Sequence, residues 1–368
     1  MITVRSGSVA AVTACICAAA LAAAALSSAT CVTGCGGGEN GTGKVKVAAD
    51  IMPLAYLCRE VGGDMVEVEV LVPPGSSPHT FELTGGQMKF LSDADLLVTV
   101  GLGLTPWAEE VFGRVDNPRM EKLTVGDLLP VGELIPASEA IALEDGDHAH
   151  GEGGEQGPEA AADDHGQGEG DEDRESDGEK AGPGEEYPHD HEHAHGLYDP
   201  HVWLDPLLCE GVVLELAEAL SRADPDHASY YRERAEESVE RLRILDAEVE
   251  EILAGVASRR FLSFHSSLTY FARRYGLEQV GVIEELPGKE PSAGEVAELV
   301  DLVRELGVKA VFAERQFSPR AAQAIAESAG GGVVVATIDP LADPGDPEGG
   351  SYEGMLRELA GEVAEALR

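Results

Sequence analysis

The stretch 225–254, PDHASYYRERAEESVERLRILDAEVEEILA, is the longest helical pattern in the chain. Its apolar and small residues recur at spacings of three and four, as on one buried helix face; they are Tyr231, Ala235, Val239, Leu242, Leu245, Val249 and Ile252. Asp224 is a predicted N-cap, and Pro225 suits the first helical position. Such a helix would be about 45 Å long. We therefore expect a rigid connector between two lobes; a surface helix of one lobe is the alternative.

Short strand-like runs, β-branched in the first half, alternate with helical patterns on both sides of this stretch. The runs cover 46–49, 66–72, 96–100, 261–264, 279–283, 309–313 and 333–337. The helical patterns cover 53–61, 86–94, 268–275, 293–306 and 321–329. This order predicts two α/β lobes with parallel sheets. We expect an N-terminal lobe over 45–223, the connecting helix over 224–254 and a C-terminal lobe over 255–368.

The charge of the chain excludes one broad class of function. Its 368 residues include 26 Lys and Arg against 68 Asp and Glu, a formal net charge of −42. Nucleic-acid binding requires a basic surface that contacts phosphates, so we expect no nucleic-acid partner.

Much of the acidic excess lies in one segment, 144–196, which we expect to be a disordered loop of the first lobe. It contains 19 acidic residues, two basic residues and seven histidines, and almost no large apolar side chain. Such a composition cannot bury enough apolar surface to offset the entropy of ordering. Its histidines are His148, His150, His165, His189, His191, His193 and His195.

The N-terminus has the pattern of a lipoprotein signal. An apolar run over 9–26 ends in small residues, as secretory signals do, and a transmembrane helix is the alternative. The VTGC sequence that ends at Cys35 resembles a bacterial lipobox, and Cys31 has a poorer match. We expect a signal peptide over 1–34, lipid attachment at Cys35 and a Gly-rich flexible tether over 35–44.

Two cysteines, Cys58 and Cys209, remain in the globular part, and their spacing fits no zinc motif. One disulfide between them is compatible with an oxidising compartment. We favour two buried free thiols.

Four histidines lie outside the acidic loop. His227 falls in the first turn of the long helix, and we expect it to be a solvated surface residue. His79 follows a predicted strand, His201 lies in the rigid segment DPHVWLDP, and His265 follows the strand FLSF. Ligands of open α/β sheets bind beyond the carboxyl ends of strands, so His79 and His265 are candidate site residues.

Two carboxylates occupy corresponding positions, because Glu314 and Asp339 follow two further strands. Three imidazoles and one carboxylate form a natural four-coordinate zinc shell. The spacing alone does not establish a metal site, since each histidine taken singly is more often a core or cap residue.

Several motifs in order carry a family resemblance. They are LVPPGSSPHTFELT (71–84), GLGLTPW (101–107), DPHVWLDP (199–206), SFHSSLTYFARRYGL (263–277), the stretch 289–330 with FAERQFSP, and TIDPL (337–341). Together they resemble the substrate-binding lipoproteins of zinc and manganese ABC transporters (ZnuA/TroA-like). The resemblance covers nearly all the chain after the signal, except the acidic loop. It implies two (β/α) lobes joined by one long helix, with a metal ion held in the cleft between them.

The resemblance also implies the ligands. His79, His201 and His265 match the three imidazole ligands, and Asp339 matches the carboxylate. Glu314 matches an acidic residue that is an alternate ligand or a hydrogen-bonding partner of a ligand.

The cargo implied is Zn²⁺. Manganese-binding relatives tend to have a carboxylate at the position of His265, and imidazole suits zinc better than it suits manganese. The acidic loop agrees, because exposed histidines in HAH and HDHEHAH bind such metals weakly. An inert solvated spacer is the alternative for the loop, and a manganese or iron carrier is the alternative for the protein.

We therefore expect a non-enzymatic, monomeric zinc-capture component that delivers its cargo to an ABC permease and the associated ATPase. Its expected location is the outer face of the cytoplasmic membrane, where its lipid holds it. Two rival classes remain. One is a zinc hydrolase that uses Glu314 as a general base, and the other is a surface adhesin whose functional part is the loop.

Overall fold

The computed structural model describes residues 43–108, 111, 115–141, 196–284, 288–342, 345 and 350–368. The expected signal peptide, Cys35, most of the tether and all of the acidic loop except Gly196 lie outside these residues. The boundaries expected for these segments and for the lobes stay predictions.

The first lobe is built on a parallel sheet in the order β2-β1-β3-β4. Its strands are β1 (Val45–Ala49), β2 (Val66–Val70), β3 (Leu96–Thr99) and β4 (Glu121–Thr124). Helices in the described part of this lobe are α1 (Met52–Gly62), α2 (Gly85–Asp93), α3 (Val125–Leu128), α4 (Ala137–Ile141) and α5 (Cys209–Ala223). The sequence patterns did not predict β4, an edge strand that buries only Leu123.

The second lobe repeats this strand order, β6-β5-β7-β8, again fully parallel. Its strands are β5 (Arg260–Ser263), β6 (Glu278–Val282), β7 (Ala310–Glu314) and β8 (Val334–Ile338). Its helices are α7 (Thr269–Tyr275), α8 (Ala293–Glu305), α9 (Arg320–Ala329) and α10 (Tyr352–Ala366). The expected fold class, two parallel-sheet α/β lobes, is confirmed.

The long helix α6 (Ala228–Leu253) begins three residues after Pro225, the predicted first helical position. Pro225–His227 form a 3-10 turn, and the Asp224 side chain caps no helix N–H group. Its Oδ2 instead accepts hydrogen bonds from His227 Nδ1 at 2.7 Å and from Tyr231 Oη at 2.8 Å. The predicted side-chain cap is therefore wrong, because two neighbouring donors occupy the carboxylate.

The buried face of α6 follows the predicted stripe except at its end. Leu253 is buried there, whereas Ile252 is 36% exposed, because the stripe shifts by one residue at the last turn. Helix α6 packs against α1, α5 and α10, and so contacts both lobes. Within the described ranges, no helix combines the length and the apolar character that a membrane crossing needs.

Both sheets turn one face toward a shared apolar core. Val47 and Val98 of the first sheet, Phe261 and Phe312 of the second, and the buried stripe of α6 belong to one cluster of buried residues. The residues next to these in each strand point to the opposite face of the sheet, because side chains alternate across a strand. There they belong to two separate outer clusters, one for each sheet. The shared core thus holds the two sheets against the same helices.

Candidate metal centre

Three of the predicted site histidines converge. His79 lies in the loop between β2 and α2, His201 directly precedes a 3-10 turn (Val202–Leu204), and His265 lies two residues after β5. One ligand nitrogen from each lies within 4.8 Å of the others. Their ring centroids are 5.0 to 5.6 Å apart. Two lobes therefore contribute imidazoles to one point.

Asp199 orients the His201 ring. Its Oδ1 accepts hydrogen bonds from the His201 backbone N–H at 2.8 Å and from Nδ1 at 2.9 Å. An ionised carboxylate accepts, so Nδ1 is the donor here and Nε2 is the ring nitrogen left to face a metal ion. Asp199 is buried, and hydrogen bonds of this kind to the far nitrogen are typical of histidines that bind metals.

Glu314 lies against the corresponding nitrogen of His265. Its Oε1 lies 2.5 Å from His265 Nδ1 and accepts a hydrogen bond from Ser267 Oγ at 3.0 Å. His265 Nε2 lies 3.2 Å from His201 Nε2. Both Nδ1 atoms thus face carboxylates, and both Nε2 atoms are directed at the same point.

The surroundings of His265 raise its pKa. Burial lowers this pKa, but the negative charge and the hydrogen bond of Glu314 outweigh burial, and Asp199 and Glu284 add to their effect. Glu284 is itself buried, and its pKa is raised by that burial. The electrostatic environment of the three histidines therefore favours positive charge.

Asp339 lies outside the group of three imidazoles, at the end of β8. Its Oδ1 accepts hydrogen bonds from Gln316 Nε2 at 2.9 Å and from the Leu341 backbone N–H at 3.0 Å. Its Oδ2 lies 3.6 Å from Arg315 Nε. Pro340 and Leu341 line the same cavity as the histidines. The expected fourth ligand is thus held beside the site.

The cavity at the cluster measures about 10 Å³. Its lining residues are Ser77, Pro78, His79, His201, Trp203, His265, Glu314, Gln316, Phe317, Pro340 and Leu341. Pockets for organic ligands usually measure about 300–1,000 Å³, whereas one water-sized probe needs about 10–15 Å³. Within the described residues, the cavity matches the size of a single ion or water molecule.

Sequence reasoning missed Asp199 and Glu284. A signal existed for both, since Asp199 lies two residues before His201 in the DPH motif and Glu284 follows β6 as Glu314 ends β7. The loop histidines and Cys35 lie outside the described residues. His227 is exposed, as expected. Both globular cysteines are buried free thiols, which confirms the favoured interpretation.

Comparisons with known proteins agree with this geometry. The family model described as "Zinc-uptake complex component A periplasmic" (ZnuA) matches residues 47–366. The high-affinity zinc uptake system protein ZnuA of Paracoccus denitrificans is 36% identical over 326 residues, which cover 88% of this chain and 91% of that protein.

A second relative and a solved structure extend the comparison. The zinc-binding lipoprotein AdcA of Streptococcus pneumoniae serotype 4 is 25% identical over 308 residues, 83% of this chain and 52% of that protein. A crystal structure of ZnuA, 27% identical, has a TM-score of 0.65 and covers 88% of this chain and 100% of its own. The chain therefore belongs to the ZnuA family of periplasmic zinc-uptake components.

Proposed function

We propose that this protein captures Zn²⁺ outside the cytoplasm as the substrate-binding component of an ABC transporter, and delivers it to the permease and its ATPase. The observation that supports this most directly is the convergence of three histidines on a cavity of about 10 Å³. A monomer is sufficient for the function, because one chain supplies the whole proposed ligand set.

The proposed ligands are His79, His201 and His265, with Asp339 as the fourth. Three imidazoles and one carboxylate suit Zn²⁺, whereas Mn²⁺ prefers harder oxygen ligands. Glu314 is better explained as the partner that orients His265 than as a ligand, because it already contacts His265 Nδ1.

The decisive test of the cargo is metal analysis of protein purified without added metal, followed by competitive titration with Zn²⁺ and Mn²⁺. We expect bound zinc and a clear preference for Zn²⁺ over Mn²⁺. Tighter binding of Mn²⁺ or of iron would favour the alternative cargo.

We further propose that the protein is not an enzyme. A hydrolase requires room for its substrate beside the metal and a free general base. The cavity at the cluster measures about 10 Å³ among the described residues, and Glu314 already contacts His265 and Ser267. Hydrolysis of ester, amide or phosphoester substrates by the zinc-loaded protein would contradict this.

Deletion of residues 144–196 should leave the tight zinc site intact and remove weaker ones. The hydrogen bonds that close the base of this segment, from Ala137 N to Leu197 O and from Asp199 N to Ile135 O, lie outside the deletion. Calorimetric titration should show one tight site plus weak sites in the full chain, and only the tight site, unchanged within about threefold, in the shortened one. Loss of the tight site would favour a protein that acts through its loop, such as an adhesin.

Replacing Cys35 with serine should release the protein from the membrane fraction, because a serine cannot receive the proposed thioether-linked lipid. Fractionation and immunoblotting would measure this, with Cys31→Ser as the matched control. Release by Cys31→Ser instead would place the lipid four residues earlier, and release by neither would contradict lipid anchoring at these positions.

A further inference from the structure

The segments that flank residues 142–195 are joined to each other at their base. Asp199 N donates to Ile135 O at 2.8 Å, and Ala137 N donates to Leu197 O at 3.0 Å. Pro136 and Tyr198 form an antiparallel bridge between these hydrogen bonds. We call residues 135–137 and 197–199 the base ribbon. It belongs to the first lobe.

A tyrosine of the second lobe contacts both sides of the base ribbon. Tyr270 Oη accepts a hydrogen bond from Ile135 N at 3.0 Å and donates one to Asp199 O at 3.1 Å. Tyr270 is fully buried, and it lies on α7, five residues after His265. The hydroxyl uses both its donor and its acceptor capacity in a contact between lobes.

Asp199 connects this contact to the metal centre. Its carbonyl is held by Tyr270, while its carboxylate accepts from the backbone N–H and from Nδ1 of His201. Asp199 therefore links the Tyr270 hydroxyl of the second lobe to His201, a proposed ligand of the first lobe.

We propose that Tyr270 is a positioning residue for zinc capture. Through the base ribbon and Asp199 it sets the place of His201 relative to His265, which lies on the same lobe as Tyr270. The inference rests on the proposed ligand set, because it requires His201 and His265 to bind the same ion.

Other contacts between the lobes limit the size of the effect. Trp203 Nε1 donates to Pro340 O at 2.8 Å, and Tyr352 Oη donates to Trp203 O at 2.7 Å, so the chain after His201 has its own supports. Loss of the Tyr270 hydroxyl should therefore loosen His201 without releasing it. Loss of outer partners of metal ligands typically costs about 10–100-fold in affinity, and we expect a value in this range.

The test compares two tyrosines of the same helix. Tyr270→Phe removes the hydroxyl and keeps the ring. Tyr275→Phe removes a hydroxyl that reaches Asp246 Oδ1 at 3.2 Å, and neither of these two residues lines the cavity. The Zn²⁺ dissociation constant should rise about 10–100-fold for Tyr270→Phe and stay within about threefold for Tyr275→Phe. The visible spectrum of bound Co²⁺, which reports ligand geometry, should change only for Tyr270→Phe. An unchanged affinity and spectrum for Tyr270→Phe would overturn the inference.

A double-mutant cycle with Asp199→Asn separates positioning from general destabilisation. If Tyr270 acts through Asp199, the loss of zinc affinity in the double variant should be smaller than the product of the two single losses. Strictly multiplicative losses would show that Tyr270 does not act through Asp199.

A measurement on the unaltered protein keeps the inference testable if Tyr270→Phe does not fold. Zn²⁺ binding should slow hydrogen exchange of the Ile135 amide more than that of the Glu121 amide, which donates to Asp95 O in the first sheet. Equal slowing of both amides would contradict the inference.

His201→Ala distinguishes failure of the ligand set from failure of the positioning role. Retained zinc affinity in His201→Ala would contradict the ligand set. Lost affinity in His201→Ala, together with unchanged affinity in Tyr270→Phe, would contradict only the positioning role.

Discussion

Zinc affinity should fall by at least about 100-fold when His265 is replaced by alanine, since removal of a ligand should cost no less than removal of an outer partner. The change deletes one of three converging imidazoles. It also leaves the buried Glu314 without the ring that its Oε1 contacts at 2.5 Å. Both effects act on the same cavity. Competition with a zinc chelator, on protein stripped of metal, would measure the loss.

His227→Ala is the matched control for this variant. His227 is exposed at the start of α6, and its Nδ1 donates to Asp224. Its removal should leave zinc affinity unchanged within about threefold, and circular dichroism should show that both variants are folded. An unchanged affinity in His265→Ala would mean that this imidazole is not a ligand, and the ligand set would have to be revised.

Acidification from pH 7.5 to 5.5 should weaken the tight site by at least about tenfold. Zinc competes with protons for each ligand nitrogen, and an imidazole whose pKa lies at or above the ordinary value of about 6.5 loses at least about tenfold in its unprotonated fraction over this range. The pKa of His265 is raised, mainly because Glu314 outweighs the effect of burial. Protons therefore compete with zinc at His265 already above pH 6.5, and affinity is lost as pH falls through its pKa.

Calorimetric titration at both pH values, in buffers of different ionisation enthalpy, would measure affinity and proton release together. Up to three protons should be taken up for each zinc ion released. The protein lacking residues 144–196 is the appropriate sample, because the seven histidines of that segment would also exchange protons in this range. A tight site that survived unchanged at pH 5.5 would show that imidazoles are not its principal ligands.

The fold was predictable where local patterns are strong. Every strand except β4 contains a short apolar or β-branched run, and the stripe on α6 has helical spacing. Strand β4 was missed because its sequence, EKLT, buries one side chain at a sheet edge. The start of α6 was predicted too early, because a proline suits the first position of a 3-10 turn as well as that of an α-helix, and Pro225 begins a 3-10 turn.

The histidines of the site were predictable because they follow strands and lie in recognisable motifs. The residues that hold these histidines in place were not predictable, since their contacts join distant parts of the chain. Tyr270 and Ile135 are 135 positions apart, and no spacing rule links them. The position of Asp339 beside the cluster likewise depends on Gln316, 23 positions away.

The apolar cluster that both sheets share affects how the chain folds and unfolds. Val98, Phe261 and Leu245 represent the first sheet, the second sheet and α6 in that cluster. Separating the lobes would expose these side chains to water at a cost of about 0.8 kcal/mol for each buried methylene group. Thermal denaturation of the two lobes should therefore be one cooperative event. Proteolysis within α6 should leave no stable half-molecule, because neither fragment retains a complete core.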